Sequence, residues 1–445
     1  MIRAFGMLCL TGSLGLPICL CAEPAVTQTE NSAPAFQIGF AKRDITPQKP
    51  TPMWGYGARH DHLSEGVLDP LYAKAVVVQA GSDRLAIVGL DLGRGPTAPM
   101  MEKIRSEVEK SAGIRHVLIS GSHTHHGPVI ELVNQEGFGK GKFDDAVAYS
   151  ETLPGLINEA ILEAAKKLQP ARIGIATKEV SLNRNRHTKR DPKATDPMLA
   201  VVRFDNAEGK PLAILVNFAA HPVTTDPRIL KFSADYPGYL MNRVESALET
   251  KCVFMQGASG DMSCNPRDGK NGPQAFGEDL GDEVIGLAKS VQTAVPAKPS
   301  VVGKVDRFHF RSRIDFSNAT IGERFAAAFF PELVRNFFRE MQQGLEPELS
   351  TVMLNGDLAL VGGSGEFFCN HANRLKQRSY VPHTLFFGYC NGHHMYFPTI
   401  EAVSEQGYGA DPPVSPVEIG AGERMMDQAL INIYNFLGKF AADIR

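Results

Sequence analysis

Two short apolar runs in this chain stop abruptly at histidine, and that repeated ending constrains the fold more than any other feature. Residues 116–120 lead straight into Gly121, Ser122, His123, Thr124, His125, His126, Gly127 and Pro128. Residues 212–218 lead likewise into Ala219, Ala220 and His221, with Pro222 behind it. A short apolar run bounded by turn residues reads as a buried strand. A residue before proline is held out of the helical region, which ends the second strand at a defined place. Polar side chains just beyond buried strands are where an α/β architecture keeps its chemistry. The expectation is an α/β fold, a mixed-sheet core with flanking helices, with site residues on loops after strands.

The rest of the pattern agrees. Residues 73–80 and 85–90 are β-rich and separated by Gly81, Ser82 and Asp83, as in a hairpin or adjacent strands. Residues 199–204 and 212–218, joined by a turn at 206–210, make the clearest hairpin. Helical spacing marks 99–110, 151–168, 236–249, 276–291 and 422–437. Residues 325–341 carry Phe325, Phe329, Phe330, Phe337 and Phe338. Packed on one helix side these are core; left partly exposed they form an apolar wall for a lipid-like ligand. Pro331 either opens a second helix there or kinks a longer one. No internal repeat stands out.

Composition bounds the class. With 445 residues, 43% of them apolar, the chain buries at least one full core. A charged fraction of 21% and a net charge of -3 speak against disorder and against a nucleic-acid partner. Residues 1–22 contain Arg3, a mostly apolar stretch to Leu20, then Cys21 and Ala22, the pattern of a signal peptide. The chain is thus expected to be exported, periplasmic or secreted. A membrane anchor fits less well, because the apolar segment is short and holds Pro17, and no clean acylation motif marks Cys19 or Cys21. Residues 23–36 read as a flexible lead-in. Cys252, Cys264, Cys369 and Cys390 remain, an even number that permits disulfides in an oxidising compartment.

Several residues are candidates for chemistry. If residues 123–125 are extended, His123 and His125 point the same way and reach one pocket. Imidazole suits zinc and needs a partner on its second nitrogen; surface or structural histidines are the plain alternative. The loop 257–266 offers glycines that aim N–H groups at an anion, with Asp261 and Ser263 to orient water or substrate. It is not a nucleophile elbow, since Ser259 lacks the flanking glycine pattern. Glu366 follows Gly362, Gly363 and Gly365 at the expected start of a helix through Leu375, as a metal ligand or as a carboxylate favoured by the helix N-terminus. Tyr396 has a phenolic oxygen to offer a cation. Trp54, Tyr56 and His60 decorate a glycine-rich loop that lines a pocket or merely packs.

The segments GFAKRDITP at 39–47, ISGSHTHHGP at 119–128, NFAAHP at 217–222, GASGDMSCNP at 257–266, GGSGEFF at 362–368 and NGHHMYFPT at 391–399 together resemble the neutral/alkaline (non-lysosomal) ceramidase family. They occur in the family's order, and the likeness covers about residues 37–437. It implies one zinc ion held by His123, His221, Glu366 and Tyr396, with His125 beside it as a proton or oxyanion partner. It also implies polar roles for Asp261 and Ser263, and places the family's arginine at Arg184 in the NRNR segment. Two departures touch the pocket: SCNP stands where SPN is usual, and His393 and His394 replace a more aromatic run. The family's C-terminal immunoglobulin-like domain has no counterpart before Arg445.

What the resemblance implies for residues 37–445 is a zinc-dependent amide hydrolase. Its substrate would be N-acylated and lipid-like, ceramide before any other compound, with peripheral membrane contact in keeping. Two other readings stay open: a zinc hydrolase of a different small amide or ester, and a noncatalytic exported protein that binds metal or ligand. The oligomeric state is not legible.

Overall fold

In the computed structural model, which describes residues 36–441, three mixed sheets turn their inner faces toward one another and helices cover their backs. The first sheet runs in the order His116–Gly121, Asp83–Leu90, Tyr72–Ala80, Phe36–Asp44, Gln169–Pro170. The second is Cys252–Gln256, Pro211–Phe218, Met198–Asp205, Arg172–Glu179, and the third Val301–Arg307, Glu348–Leu354, Leu358–Gly363, His383–Phe387.

Alternation along each strand explains the layering, since successive side chains leave opposite faces. Ile38, Val76, Val78 and Ile87 point into a core shared by all three sheets, where they meet Val202, Leu215, Val352 and Leu360. Ala41, Ala75, Val77 and Val88 point the other way, onto helices Ala98–Ala112 and Asp144–Lys166. The second sheet backs onto Asp235–Leu248 and Pro273–Ser290, and the third onto Cys369–Arg378 and Ala421–Phe436. Sheets buried on both faces carry nearly unbroken apolar runs, which is why these strands stood out in the sequence.

Each sheet contains one parallel pair, joined by a helix. Asp83–Leu90 pairs with His116–Gly121, Pro211–Phe218 with Cys252–Gln256, and Leu358–Gly363 with His383–Phe387. The carboxyl ends of these pairs meet at one point of the molecule. Gln256, fully buried, donates to Ser122 O and Ala220 O at 2.9 Å each. Asn217 donates to Met255 O and Phe386 O, and Gly388 N donates to Gln256 O at 3.0 Å.

Three expectations are corrected. The helix expected from 151 begins at Asp144, with Pro154 inside it; Asp144 and Asp145 in its first turn suit the helix N-terminus. Glu366 does not open a helix. It sits in the two-residue strand Glu366–Phe367, paired in parallel with Tyr396–Phe397, and the helix starts at Cys369. The four cysteines are free and buried rather than bridged. Pro331 opens a second helix, Pro331–Met341, after Ala319–Ala328. The leader and nearly all of the lead-in lie outside the described residues. Among the described residues, no helix is long and apolar enough to cross a membrane.

Candidate metal centre

His123, His221 and Glu366 each come from a different sheet, two or three residues past the end of a parallel-paired strand. The meeting of the strand ends therefore brings them together. His123 Nε2 lies 2.9 Å from His221 Nε2 and 3.3 Å from His125 Nε2. Glu366 Oε2 lies 3.3 Å from His123 Nε2 and 3.9 Å from His221 Nε2. Tyr396 is brought to Glu366 by their strand pairing, and its hydroxyl accepts from Arg186 Nη2 at 3.1 Å.

The route by which His123 and His125 converge differs from the extended segment expected. His123 has φ +69°, in the left-handed region that non-glycine residues rarely enter. The turn aims both imidazoles inward, and such strain persists where the surroundings over-determine it. Here His123 N donates to Leu92 O, its Nδ1 meets Gly93 O at 2.6 Å, and Tyr389 stacks on its ring at 4.0 Å. Gly55, at φ +104°, lies so close that a Cβ there would come within 2.5 Å of the His125 ring.

Hydrogen-bond partners assign the tautomers. The Gly93 carbonyl can only accept, so it places the proton of His123 on Nδ1, whereas Nδ1 of His221 lies 3.1 Å both from Ser259 O, which accepts, and from Arg186 Nη2, which donates. His123 Nε2 therefore presents its lone pair to the cluster, and Glu366 Oε2, buried and 3.3 Å from it, has no hydrogen bond among the described residues. An imidazole lone pair and a carboxylate oxygen facing each other at this range call for a cation. A tetrahedral zinc with bonds of about 2.0–2.1 Å sets its ligand atoms about 3.3 Å apart, inside the observed spread of 2.9–3.9 Å. His123, His125 and His221 also form the one three-residue group of metal-binding type found among the described residues.

Electrostatics fit the same picture. Burial, and then neighbouring Arg186 and His123, hold the His221 imidazole well below its ordinary range; burial and His123 do the same to His125. Burial alone would raise the Glu366 carboxyl, but His123 and His393 beside it outweigh that and hold it well below. Neutral imidazoles and an ionised carboxylate are the states a metal needs. Burial and Glu366 push the Tyr396 phenol up.

The remaining expected residues fall outside the cluster or beneath it. Arg184 sits opposite Ser263 in a short strand pair and its side chain is exposed. The arginine that reaches the centre is Arg186, which donates to Gly260 O at 2.9 Å as well as to Tyr396. Asn183 and Asn185 face inward, so Arg184 between them faces out; Arg186, also exposed, lies one residue past the strand end, where alternation no longer fixes its direction, and its guanidinium reaches the cluster. Asp261 is buried, with its oxygens committed to Asn185 Nδ2, Cys369 N and Cys369 Sγ. It braces the loop instead of facing a ligand. Ser263 bridges His221 through the backbone, and its hydroxyl makes no hydrogen bond among the described residues.

Sequence reasoning missed Gln256 and Tyr389, whose importance depends on contacts between sheets, and noted His393 as a departure touching the pocket without its contact to Glu366. Trp54 does line the pocket. Its ring stands edge-on to His123, His125 and His393 at 5.1–5.7 Å, and its indole N–H donates to Glu131, which is paired with buried Arg94. A pocket opens from Trp54, His125, Glu366 and Tyr396 toward Phe325, Phe329, Phe337 and Phe338. A second opening, past Tyr56, Arg186 and Val223, reaches the same histidines.

Comparison with known proteins bears on the family and the fold. Residues 36–274 match the family model described as neutral/alkaline non-lysosomal ceramidase, N-terminal. The neutral ceramidase of Pseudomonas aeruginosa is 26% identical over 321 residues, covering 65% of this chain and 46% of its own. Neutral ceramidase A of Dictyostelium discoideum is 26% identical over 272 residues, 52% of this chain and 36% of its own. The chain thus spans less than half the length of these relatives. The crystal structure of the Pseudomonas aeruginosa neutral ceramidase superposes with a TM-score of 0.72 at 18% identity, covering 92% of this chain and 76% of that one; at that identity it bears on the fold alone. With more than half of its length matched by the family model and its strand-end histidines gathered in one buried cluster, the chain belongs to the neutral/alkaline non-lysosomal ceramidase family.

Proposed function

We propose that this chain is a zinc-dependent amide hydrolase acting on an N-acylated, lipid-like substrate, ceramide before other compounds, and releasing a fatty acid and a sphingoid base. The observation that carries the proposal is the continuity of the apolar pocket with the cluster: Phe325, Phe329 and Phe337 line the same space as His125, Glu366 and Tyr396. An acyl chain seated along that wall presents its amide carbonyl to the histidines.

His123, His221, Glu366 and Tyr396 would hold the zinc, which when bound supplies polarisation of a carbonyl and acidification of a water. The protein's own groups do the rest. His125 starts neutral because it is buried, and the negative charge of nearby Glu366 is what favours its protonated form when it takes the proton that water loses as its oxygen bonds to the carbonyl carbon. The same proton then passes to the nitrogen as the C–N bond breaks. Arg186, fixed by Gly260 O and Tyr396, stands where a positive charge stabilises the developing oxyanion. Asp261 holds the loop that carries Gly260, and Ser263 aligns His221 through the backbone. Among the described residues no base is hydrogen-bonded to the Ser263 hydroxyl to make it a nucleophile.

The proposal includes export, resting on the leader pattern at 1–22, and peripheral membrane contact in keeping with a lipid substrate. The test is kcat/KM for N-acyl substrates of rising chain length, below their micelle concentrations, with and without chelator. Rates that climb with chain length and vanish on chelation support the proposal. A flat response with chelator-sensitive turnover would move it to a small-amide or ester hydrolase, and metal binding without turnover to a binding protein.

A further inference from the structure

His393, three residues before Tyr396, is fully buried. Its Nε2 lies 3.2 Å from Glu366 Oε1. A carboxylate oxygen can only accept, so the proton sits on Nε2 and the N–H donates. The other oxygen, Oε2, is the one that faces His123 and His221 without a hydrogen bond. The imidazole ring is gripped on its sides. Trp54 stands edge-on at 5.4 Å, and Tyr389 lies nearly parallel at 6.3 Å.

The loop is built to deliver this side chain. Asn391 N donates to Ile119 O at 2.8 Å, its Oδ1 accepts from Ile119 N at 2.9 Å, and its Nδ2 donates to Val117 O at 2.8 Å. These bonds staple the loop to the strand that ends in His123. On the other side His394 N donates to Ser364 O at 2.9 Å, two residues before Glu366. The segment carrying His393 is therefore clamped between the two strand ends whose ligands it must align.

We propose that His393 is a positioning residue: its Nε2–H fixes Glu366 Oε1, so that Oε2 alone is presented to the metal beside His123 and His221. The proposal rests on the zinc reading above. Partners that orient a ligand typically change metal affinity by about 10–100-fold, and an unanchored carboxylate is free to rotate out of line.

The test uses full-length protein, with zinc affinity measured by competition against a chromophoric chelator. Trp54, the chain's single tryptophan and in contact with three of the histidines, reports binding independently by its fluorescence. Three variants separate the donor from the bulk. His393→Gln puts an amide N–H near the Nε2 position, and zinc affinity should stay within a few-fold of the parent. His393→Asn is polar but too short to reach Glu366, and His393→Phe fills the space without a donor; both should weaken zinc binding by about 10–100-fold. If Phe does not fold, the contrast between Gln and Asn still decides. Equal zinc affinity in parent, Gln and Asn overturns the role of His393 alone, as does equal loss in Gln and Asn. Failure of the parent itself to bind zinc overturns the metal reading and this proposal with it.

Discussion

The floor of the site and its wall are built in opposite ways. On the floor, His123, His221, Glu366 and His393 are at most 3% exposed, and each is tied to a neighbouring strand end by backbone or side-chain hydrogen bonds. The wall is two short helices, Ala319–Ala328 and Pro331–Met341, whose Phe325, Phe329, Phe337 and Phe338 stay half-buried. Only Phe330 is sealed into a core, against Phe143 and Leu333. Polar contacts to the turn at Gly137 and Phe138, from Arg335 to Gly137 O and from Asn336 to Phe138 O, hold the second wall helix. The floor fixes atoms to fractions of an ångström, as metal chemistry demands; the wall offers area, and apolar area has no direction.

Breaking the floor should have the largest effect. His221→Ala is expected to remove zinc and lower kcat/KM by about a thousandfold or more while circular dichroism stays native, because one ligand is lost but no strand. Full zinc occupancy in that variant would remove His221 from the ligand set. Gln256→Leu strikes beneath the floor, leaving Ser122 O and Ala220 O without their buried donor. It should cost about 2–4 kcal/mol in urea denaturation and weaken zinc binding too. A stability loss without any change in zinc affinity would show that the two histidine loops do not depend on it for alignment.

Breaking the wall should be milder and selective. Phe329→Ala and Phe337→Ala together are expected to reduce kcat/KM for long-chain N-acyl substrates by about tenfold to a hundredfold, or about 1.4–2.8 kcal/mol. Short-chain substrates and zinc content should be unchanged. Equal losses for short and long chains would mean the wall supports the floor instead of the acyl chain.

The smallest effect concerns pH. In metal-free protein, burial holds His125 and His221 below the ordinary 6.5, so at lower pH the unfolded chain binds protons that the folded chain refuses. Their contribution is fully present above that value and is lost as pH falls below it. Glu366, depressed below its ordinary 4.5, adds a loss in the same direction under about that pH. Melting temperatures in chelator should therefore fall from pH 7 to pH 5 and recover part of the way with zinc. A flat profile would show that these groups are not held as the structure places them.

Sequence alone determined the strands, because sheets buried on both faces write continuous apolar runs, and it showed roughly where those strands end, because the runs give way to turn residues and polar side chains. It therefore named His123, His125 and His221, and the family resemblance added a metal role for Glu366 and Tyr396; the fold gathers all five. What it could not decide was orientation. Arg184 and Arg186 look alike in NRNR, and only pairing with the strand Met262–Cys264 turns the first outward and leaves the second at the cluster. Glu366 reads as a helix start, since the partner that makes it a strand, Tyr396, lies thirty residues on and appears only after folding. Asp261 and Ser263 look catalytic until their contacts are seen to face the scaffold. The physical reason is common to all of these: periodicity records which face is apolar, while the direction of a polar side chain depends on partners that are distant in sequence and fixed only when three sheets bring their strand ends together.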